Sequence, residues 1–309
     1  MKEKISVIST CFNEEDTILD CYNSIKNTLE NYNYEHIFVD NYSYDRSRLI
    51  IKEICEKDKK VKAIFNSKNY GPFLSNYNAL NFTSGEIVIV NFPTDMQDPP
   101  EKILEMIKEI EKGFDIVYGI KTNTEENFLM KISRNFFYFI VNKFSSNYYP
   151  QNVNEFICVR KKIVDSVKGS NDYFPYVRGY FAKASDNYSK IYYSRNKRQK
   201  GKSKNNLLEL YSQATNGLIS TMDKFVHILS LFFLLVSAIS LFSTFFIIGK
   251  KLINPISAPQ GFAFLTSVSL LFFSFLVFLL CLILEYLIAI HRQVRFNNKI
   301  IVESKLNFD

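Results

Sequence analysis

The sequence predicts an α/β fold, a doubly wound and mostly parallel sheet, followed by two transmembrane helices. Three observations carry this prediction. Between residues 4 and 119, short β-branched apolar runs alternate with stretches that are apolar at helical spacing, the pattern of a sheet built from strand–helix–strand units. Polar and acidic residues recur where those runs end. Near the far end of the chain, two long runs, 225–248 and 262–284, carry no formal charge.

The elements follow in order. "KISVIST" (4–10) is an apolar strand, and "NEEDTILDCYNSIKNTLENY" after it is helical. "EHIFVD" (35–40) is the next strand and "SRLIIKEICEKD" the next helix. "VKAIF" leads into "GPFLSNYNALNF", "EIVIVNF" into "PPEKILEMIKEIEKG", and "FDIVYG" (114–119) closes the series. Asp98, directly before two prolines, suits the N-cap of the last of these helices as well as a site role. Farther on, "NLLELYSQATNGLISTM" has the spacing of a helix lying in a membrane interface. The expected divisions are a cytosolic α/β domain over 1–204, an interfacial helix over 205–223, a two-helix membrane domain over 224–290 and a cytoplasmic tail over 291–309.

Both uncharged runs exceed the roughly 20 residues that a helix needs to cross a bilayer core. Neither keeps the polar stripe of a helix buried in a soluble domain. The opening "MKEKISVISTCFNEE" has too short an apolar run for a signal peptide, so the part before about residue 205 reads as a domain made in the cytosol. Arg195, Lys197, Arg198, Lys200, Lys202 and Lys204 precede the first run, and His291, Arg292, Arg295 and Lys299 follow the second, whereas the intervening loop carries only Lys250 and Lys251. Cytoplasmic flanks collect Lys and Arg. The expectation is a multi-pass protein of the cell (inner) membrane with its α/β domain and both termini in the cytoplasm. A net charge of +7 suits a neighbour of anionic lipid, and no basic helix or aromatic RNA-binding motif points to nucleic acid. Five scattered cysteines without a C-x-x-C, and three distant histidines, point to neither a disulfide framework nor a zinc site.

In an open parallel sheet, ligands bind outside the carboxyl ends of the strands. Thr10, Phe12, Asn13 and Glu14 follow the first strand, and Asp40, Asn41 and Ser43 the second. Asn69 and Gly71 follow the third, and Asp95, Gln97 and Asp98 the fourth. Polar groups gathered at one edge are the signature of a nucleotide site, and no G-x-G-x-x-G or G-K-S/T loop suggests a dinucleotide or P-loop enzyme. A nucleotide diphosphate leaves readily only when its charge is neutralised. Asp95 with the amide oxygen of Gln97 makes an oxygen half-site suited to Mg2+ or Mn2+.

Ordered segments now carry a resemblance. "STCFNEEDTI" is similar to P-x-Y/F-N-E-E, "VDNYSYDRS" to V-D-D-G-S-x-D-x-S/T, "NSKNYG" to R-N-x-G and "NFPTDMQDPPE" to D-A-D-L-Q-D-P-P-E. "DIVYGIK" is similar to V-x-G-x-R, "RNKRQKGKSK" to R-x-x-R-x-x-G-x-S-K, and "LEYLIAIHRQVR" to the segment G-E-Y-x-x-R that follows a last span. Together they resemble the family 2 glycosyltransferases, in the branch of the dolichol-phosphate mannose synthases and bactoprenol glucosyltransferases. The resemblance implies a GT-A fold and an inverting transfer from a UDP- or GDP-linked sugar to a polyprenyl (undecaprenyl or dolichyl) phosphate.

It also implies roles. Thr10, Phe12, Glu14, Asp40, Asn41, Asn69 and Gly71 would hold the nucleotide, and Asp95 and Gln97 the metal. Lys121, Arg195, Arg198, Ser203 and Lys204 would face phosphate and lipid, and Asp95, Gln97, Glu155 and Arg198 would carry catalysis. The chain departs from the pattern in four places. Pro93 stands at the first acid of D-x-D, Asn41 at the second Asp of D-D, Lys121 at an arginine, and Glu155 at the acid of G-D-F. A phosphate acceptor is already an anion, so positioning and leaving-group charge can carry the reaction, and Glu155 is an orienting group or a base. The implied partners are the nucleotide sugar, the polyprenyl phosphate, membrane lipids and, as an open alternative, further copies of the chain. Two other readings fit the sequence, namely the same fold with another lipid acceptor and a catalytically silent membrane-anchored scaffold.

Overall fold

The computed structural model describes residues 3–122, 153–169, 177–194, 253, 262–295 and 300–308. Five strands and four helices alternate in the first part: β1 (Ile5–Cys11), α1 (Ile18–Thr28), β2 (Tyr34–Asp40), α2 (Ser47–Lys57), β3 (Val61–Asn66), α3 (Pro72–Ala79), β4 (Ile87–Val90), α4 (Lys102–Glu111) and β5 (Ile116–Lys121). There follow β6 (Val153–Arg160), α5 (Lys161–Val167), α6 (Val177–Ala184), β7 (Tyr188–Tyr193), α7 (Phe262–Arg295) and β8 (Val302–Leu306).

All eight strands join one sheet in the order β7-β5-β6-β4-β1-β2-β3-β8. The pairs β1–β2, β1–β4, β2–β3 and β5–β7 are parallel, whereas β3–β8, β4–β6 and β5–β6 are antiparallel. The alternation in sequence foretells the parallel half. Every residue of β2 and β4 is buried, because helices cover both faces and leave no strand side for water. One face packs Val7, Phe38 and Ile89 against Ile18, Ile25, Ile51, Met106 and Ile110 of α1, α2 and α4. The other packs Ile8, Ile37 and Val90 against Tyr77, Val164 and Phe181 of α3, α5 and α6.

Two sequence expectations are corrected here. The first helix starts at Ile18 rather than directly after β1, because Asn13 takes a left-handed φ of 54° and the N–H groups of Thr17 and Ile18 turn back onto the Glu14 carbonyl at 3.0 and 3.2 Å. Asp98 is not the N-cap of α4. The cap position is Glu101, and Asp98 is buried upstream while the chain turns through Pro99 and Pro100. α7 continues to Arg295, and five residues of the tail join the sheet as β8.

The first expected span, 225–248, and the expected interfacial helix, 205–223, lie outside the described residues. The second lies within α7, whose 34 residues expose Phe273, Leu276, Leu280 and Leu287. No stretch composed wholly of described residues is long and apolar enough to cross a membrane.

Gly85, between α3 and β4, shows how tightly the sheet edge is built. A Cβ there would stand 2.6 Å from the Ser6 nitrogen and 2.7 Å from the Lys4 carbonyl oxygen. Both are backbone atoms of β1 or its approach, so neither can rotate away. Gly85→Ala is therefore expected to destabilise the domain by about 1–3 kcal/mol. A thermal melt checks this, and an unchanged midpoint would mean that the β1–β4 edge gives way.

Candidate active site

The strand order reverses at β1, which has β2 on one side and β4 on the other. The crevice of a doubly wound sheet opens at this place. Loops leaving β1, β2, β3 and β4 all contain a residue in left-handed backbone, namely Asn13 (φ 54°), Tyr42 (φ 67°), Gly71 (φ 82°), and Asn91 and Met96 (φ 54° and 56°). Four of these five are not glycine, and each such residue costs of order 1–3 kcal/mol where the surroundings enforce it. Strain of this kind collects at ligand sites, and here it lies along one sheet edge.

The β1 and β2 loops are tied together. The N–H of Asn13 donates to Ser43 Oγ at 2.9 Å, that of Glu14 to Ser47 Oγ at 2.9 Å, and that of Tyr44 to Asn13 Oδ1 at 2.8 Å. Phe12 meets Tyr44 edge-on at 5.6 Å, and Tyr44 meets Tyr42 at 5.9 Å, so three aromatic rings line the edge. Thr10 Oγ1 donates to Asn91 Oδ1 at 2.9 Å, bridging β1 to the β4 loop across the switch point.

Asp40 is fully buried. Its carboxylate accepts the Ser43 N–H at 3.2 Å and Arg48 Nε at 2.8 Å. Asn41 holds the third loop. Its Oδ1 accepts the Tyr70 N–H and the Ser75 hydroxyl, each at 2.9 Å, and its amide donates to Asn69 Oδ1 at 2.7 Å. Asn69 Oδ1 in turn accepts the Gly71 N–H at 2.8 Å. An amide at position 41 thus both donates and accepts inside a closed network, which a carboxylate could not do.

Asp95 and Gln97 are half-buried in the loop after β4, and the Gln97 N–H donates to Asp95 Oδ1 at 3.2 Å. Met96, between them, packs against the core, so the turn is anchored by an apolar side chain while its neighbours remain partly open. Among the described residues, no group of three or more His, Cys, Asp or Glu side chains stands ready to hold a metal ion. The share this chain can offer at Asp95 and Gln97 is a carboxylate and an amide oxygen. That hard donor set fits a cation that keeps its other positions for water and phosphate oxygens, as Mg2+ and Mn2+ do.

Because β6 runs antiparallel to β4, with Val90 opposite Ile157, the start of β6 lies at the same edge. Glu155 is found there, half-buried, with its Oε1 2.9 Å from Arg178 Nε. Arg178 also donates from Nη1 to the Val153 carbonyl at 2.8 Å. No motif in the sequence marks Arg178, because the pairing joins α6 to β6 only after folding. Lys121 ends β5 at this edge, and β7, paired with β5 as far as Tyr193, delivers the chain there too. The basic run that contains Arg195, Arg198, Ser203 and Lys204 begins two residues later and lies outside the described residues.

The described cysteines take no part in this site. Cys11, Cys21, Cys55 and Cys158 are buried and free. Burial pushes the Cys21 and Cys55 thiols up to about 12, which keeps them neutral apolar fillers.

Comparison with known proteins agrees with this geometry. Residues 6–167, just over half the chain, match the description Glycosyl transferase family 2. An uncharacterized glycosyltransferase, YkcC, of Bacillus subtilis (strain 168) is 27% identical over 252 residues, covering 81% of this chain and 77% of that protein. The bactoprenol glucosyl transferase of Shigella phage SfX is 25% identical over 220 residues, covering 70% and 72%. Glucosyl-3-phosphoglycerate synthase from Mycobacterium tuberculosis, solved with Mn2+, uridine-diphosphate and phosphoglyceric acid, shares the fold at a TM-score of 0.51 and 15% identity, over 71% and 77% of the two chains. A crevice at the β1/β4 switch point, an acid–amide turn at its rim and a matched domain that takes in the first six strands lead to one conclusion: the chain is a glycosyltransferase and belongs to glycosyl transferase family 2.

Proposed function

We propose that this glycosyltransferase moves a sugar from a nucleotide diphosphate to a polyprenyl phosphate at the cytoplasmic face of a membrane. The observation that carries the reading is convergence. The Asp95–Gln97 turn, Lys121, the Glu155–Arg178 pair and the exit of β7 toward the basic run all stand at one sheet edge. The bactoprenol glucosyl transferase relative and the Mn2+- and UDP-bound structural neighbour support the acceptor and donor classes.

Asp95 and the Gln97 amide oxygen would hold a divalent cation, which supplies neutralising charge to a departing diphosphate. The strand-end loops of β1, β2 and β3 would seat the nucleotide, with Thr10, Phe12, Glu14, Asn69 and Gly71 along the crevice and Asp40 and Asn41 holding the loops in register. Lys121 is a point charge on the phosphate side; it lacks the planar fork of an arginine. Glu155, oriented by Arg178, fits an acceptor-positioning carboxylate better than a proton shuttle, since a phosphate nucleophile brings no proton to remove. Two membrane helices complete the reading. The uncharged runs 225–248 and 262–284 each exceed the roughly 20 residues that a span needs, and basic residues flank the pair.

The test is a transfer assay on the full chain in detergent, with labelled UDP- and GDP-sugars, undecaprenyl phosphate and Mg2+ or Mn2+. Saturable formation of a lipid-linked sugar is expected, and transfer to diacylglycerol instead would replace the acceptor. The basic run gives a sharper check. Arg198→Ala and Lys204→Ala are each expected to lower transfer by about ten- to a hundredfold, the worth of one charge-assisted contact. Lys162→Ala, which removes an ion pair to the largely buried Asp115 just before β5, at the opposite end of the sheet, should leave it near normal. If all three match in detergent at low and high salt, the run is a lipid tether and not a phosphate site.

A further inference from the structure

We infer that the C-terminal strand β8 is a positioning element of the donor site, acting through Glu303 and Arg48. The inference rests on the nucleotide-sugar reading above. Arg48 Nη2 donates to Glu303 Oε2 at 2.7 Å, across 255 residues of sequence, while its Nε donates to Asp40 at 2.8 Å. A third contact runs from Nη2 to the Asn66 carbonyl at 3.2 Å. The guanidinium carbon lies over two rings, 5.5 Å from the centroid of Tyr42 and 5.2 Å from that of Phe65. Arg48 is therefore the connector between the tail and the loop that carries Asn41 to Tyr44.

β8 reaches the neighbouring loop as well. The Ser67 N–H donates to the Ile301 carbonyl at 3.0 Å, and the Ile301 N–H donates to Tyr70 Oη at 3.1 Å. Tyr70 donates its own N–H to Asn41. One edge strand thus supports both loops through which Asn41, Asn69 and Gly71 are joined. The strand is well seated, since Asn307 Nδ2 donates to the Cys55 and Val61 carbonyls at 2.7 Å each and Phe308 packs on Phe82.

Burial alone would lower the Arg48 guanidinium, and the carboxylates of Glu303 and Asp40 more than offset it. With Glu303 removed, Arg48 keeps Asp40 and the longer contact to the Asn66 carbonyl but loses the charged partner at Nη2. The guanidinium can then swing, and with it the Asp40–Ser43 turn.

The experiment uses the full chain in detergent and titrates UDP and GDP, with Mn2+, by calorimetry, alongside steady-state kinetics. Glu303 is half-exposed, so Glu303→Ala should leave the fold intact. It is expected to weaken nucleotide binding and raise the donor KM by about three- to tenfold, with the acceptor KM and kcat within about twofold. Glu303→Gln should fall between, since it keeps the shape without the charge. Lys305→Ala, on the same strand but against Phe82, should behave as wild type. In an Arg48→Ala background the effect of Glu303→Ala should vanish, as a coupled pair requires. Wild-type affinity in Glu303→Ala, or an undiminished effect without Arg48, overturns the inference alone. Absence of UDP and GDP binding to the wild-type chain overturns it together with the donor reading.

Discussion

Asp95→Asn is expected to lower turnover by about two to four orders of magnitude while the melting temperature stays close to that of the wild-type chain. The exchange conserves shape, and an asparagine oxygen can still accept the Gln97 N–H that closes the turn. What it removes is the formal charge. With Pro93 two residues earlier, this loop has no second acid at the usual partner position to take over, and Asp98 is buried upstream of α4. Charge stabilisation of a leaving diphosphate is worth several kcal/mol, and each 1.36 kcal/mol is tenfold in rate. Initial rates across a Mn2+ titration, with a thermal melt as control, decide the matter. Near-normal kcat with unchanged metal dependence would remove Asp95 from the metal role.

The second large effect concerns acid. His36, in the middle of β2, is fully buried, with Nε2 2.9 Å from Ser9 Oγ, its ring 4.2 Å from Phe38, and Nδ1 without a hydrogen-bond partner. Burial pushes the imidazole down to about 3. A histidine lowered in this way favours the unfolded state as soon as the unfolded chain binds a proton. Its stability contribution is whole above about pH 6.5 and is lost as pH falls toward 3, at about 1.4 kcal/mol per pH unit.

Glu35 acts lower. Burial would raise its carboxyl, but the Ser6 hydroxyl, the Ser84 N–H and the Lys62 ammonium outweigh that and hold it at about 2. Its contribution is present above about 4.5 and disappears only as pH falls through about 2. Among the described residues with a shifted carboxyl or imidazole, His36 is the one that acts between pH 6.5 and 4.5. Denaturant unfolding at pH 7.5, 6 and 5 should show the loss, and His36→Asn should flatten the profile even if that variant starts from a lower stability. A flat wild-type profile over this range would mean that His36 reaches water.

The sequence by itself determined the parallel half of the sheet and the edge on which chemistry is gathered. Both are local matters. β-branched runs such as "EIVIV" declare a strand buried on both faces, and the residues just beyond them, Thr10, Asp40, Asn69 and Asp95, stand at carboxyl ends whichever way the strands are ordered. Their ordered motifs sufficed to identify the family. Nothing local announced β6, β7 or β8. "VESKL" is polar and short because it is an edge strand with one side in water, and its partner β3 lies more than two hundred residues earlier. Only the tertiary structure decided that Glu155 meets Arg178, that Glu303 reaches Arg48, and that His36 is sealed in the core. Each of these is a contact between elements remote in sequence, and its energy exists only once the sheet has closed and water has left.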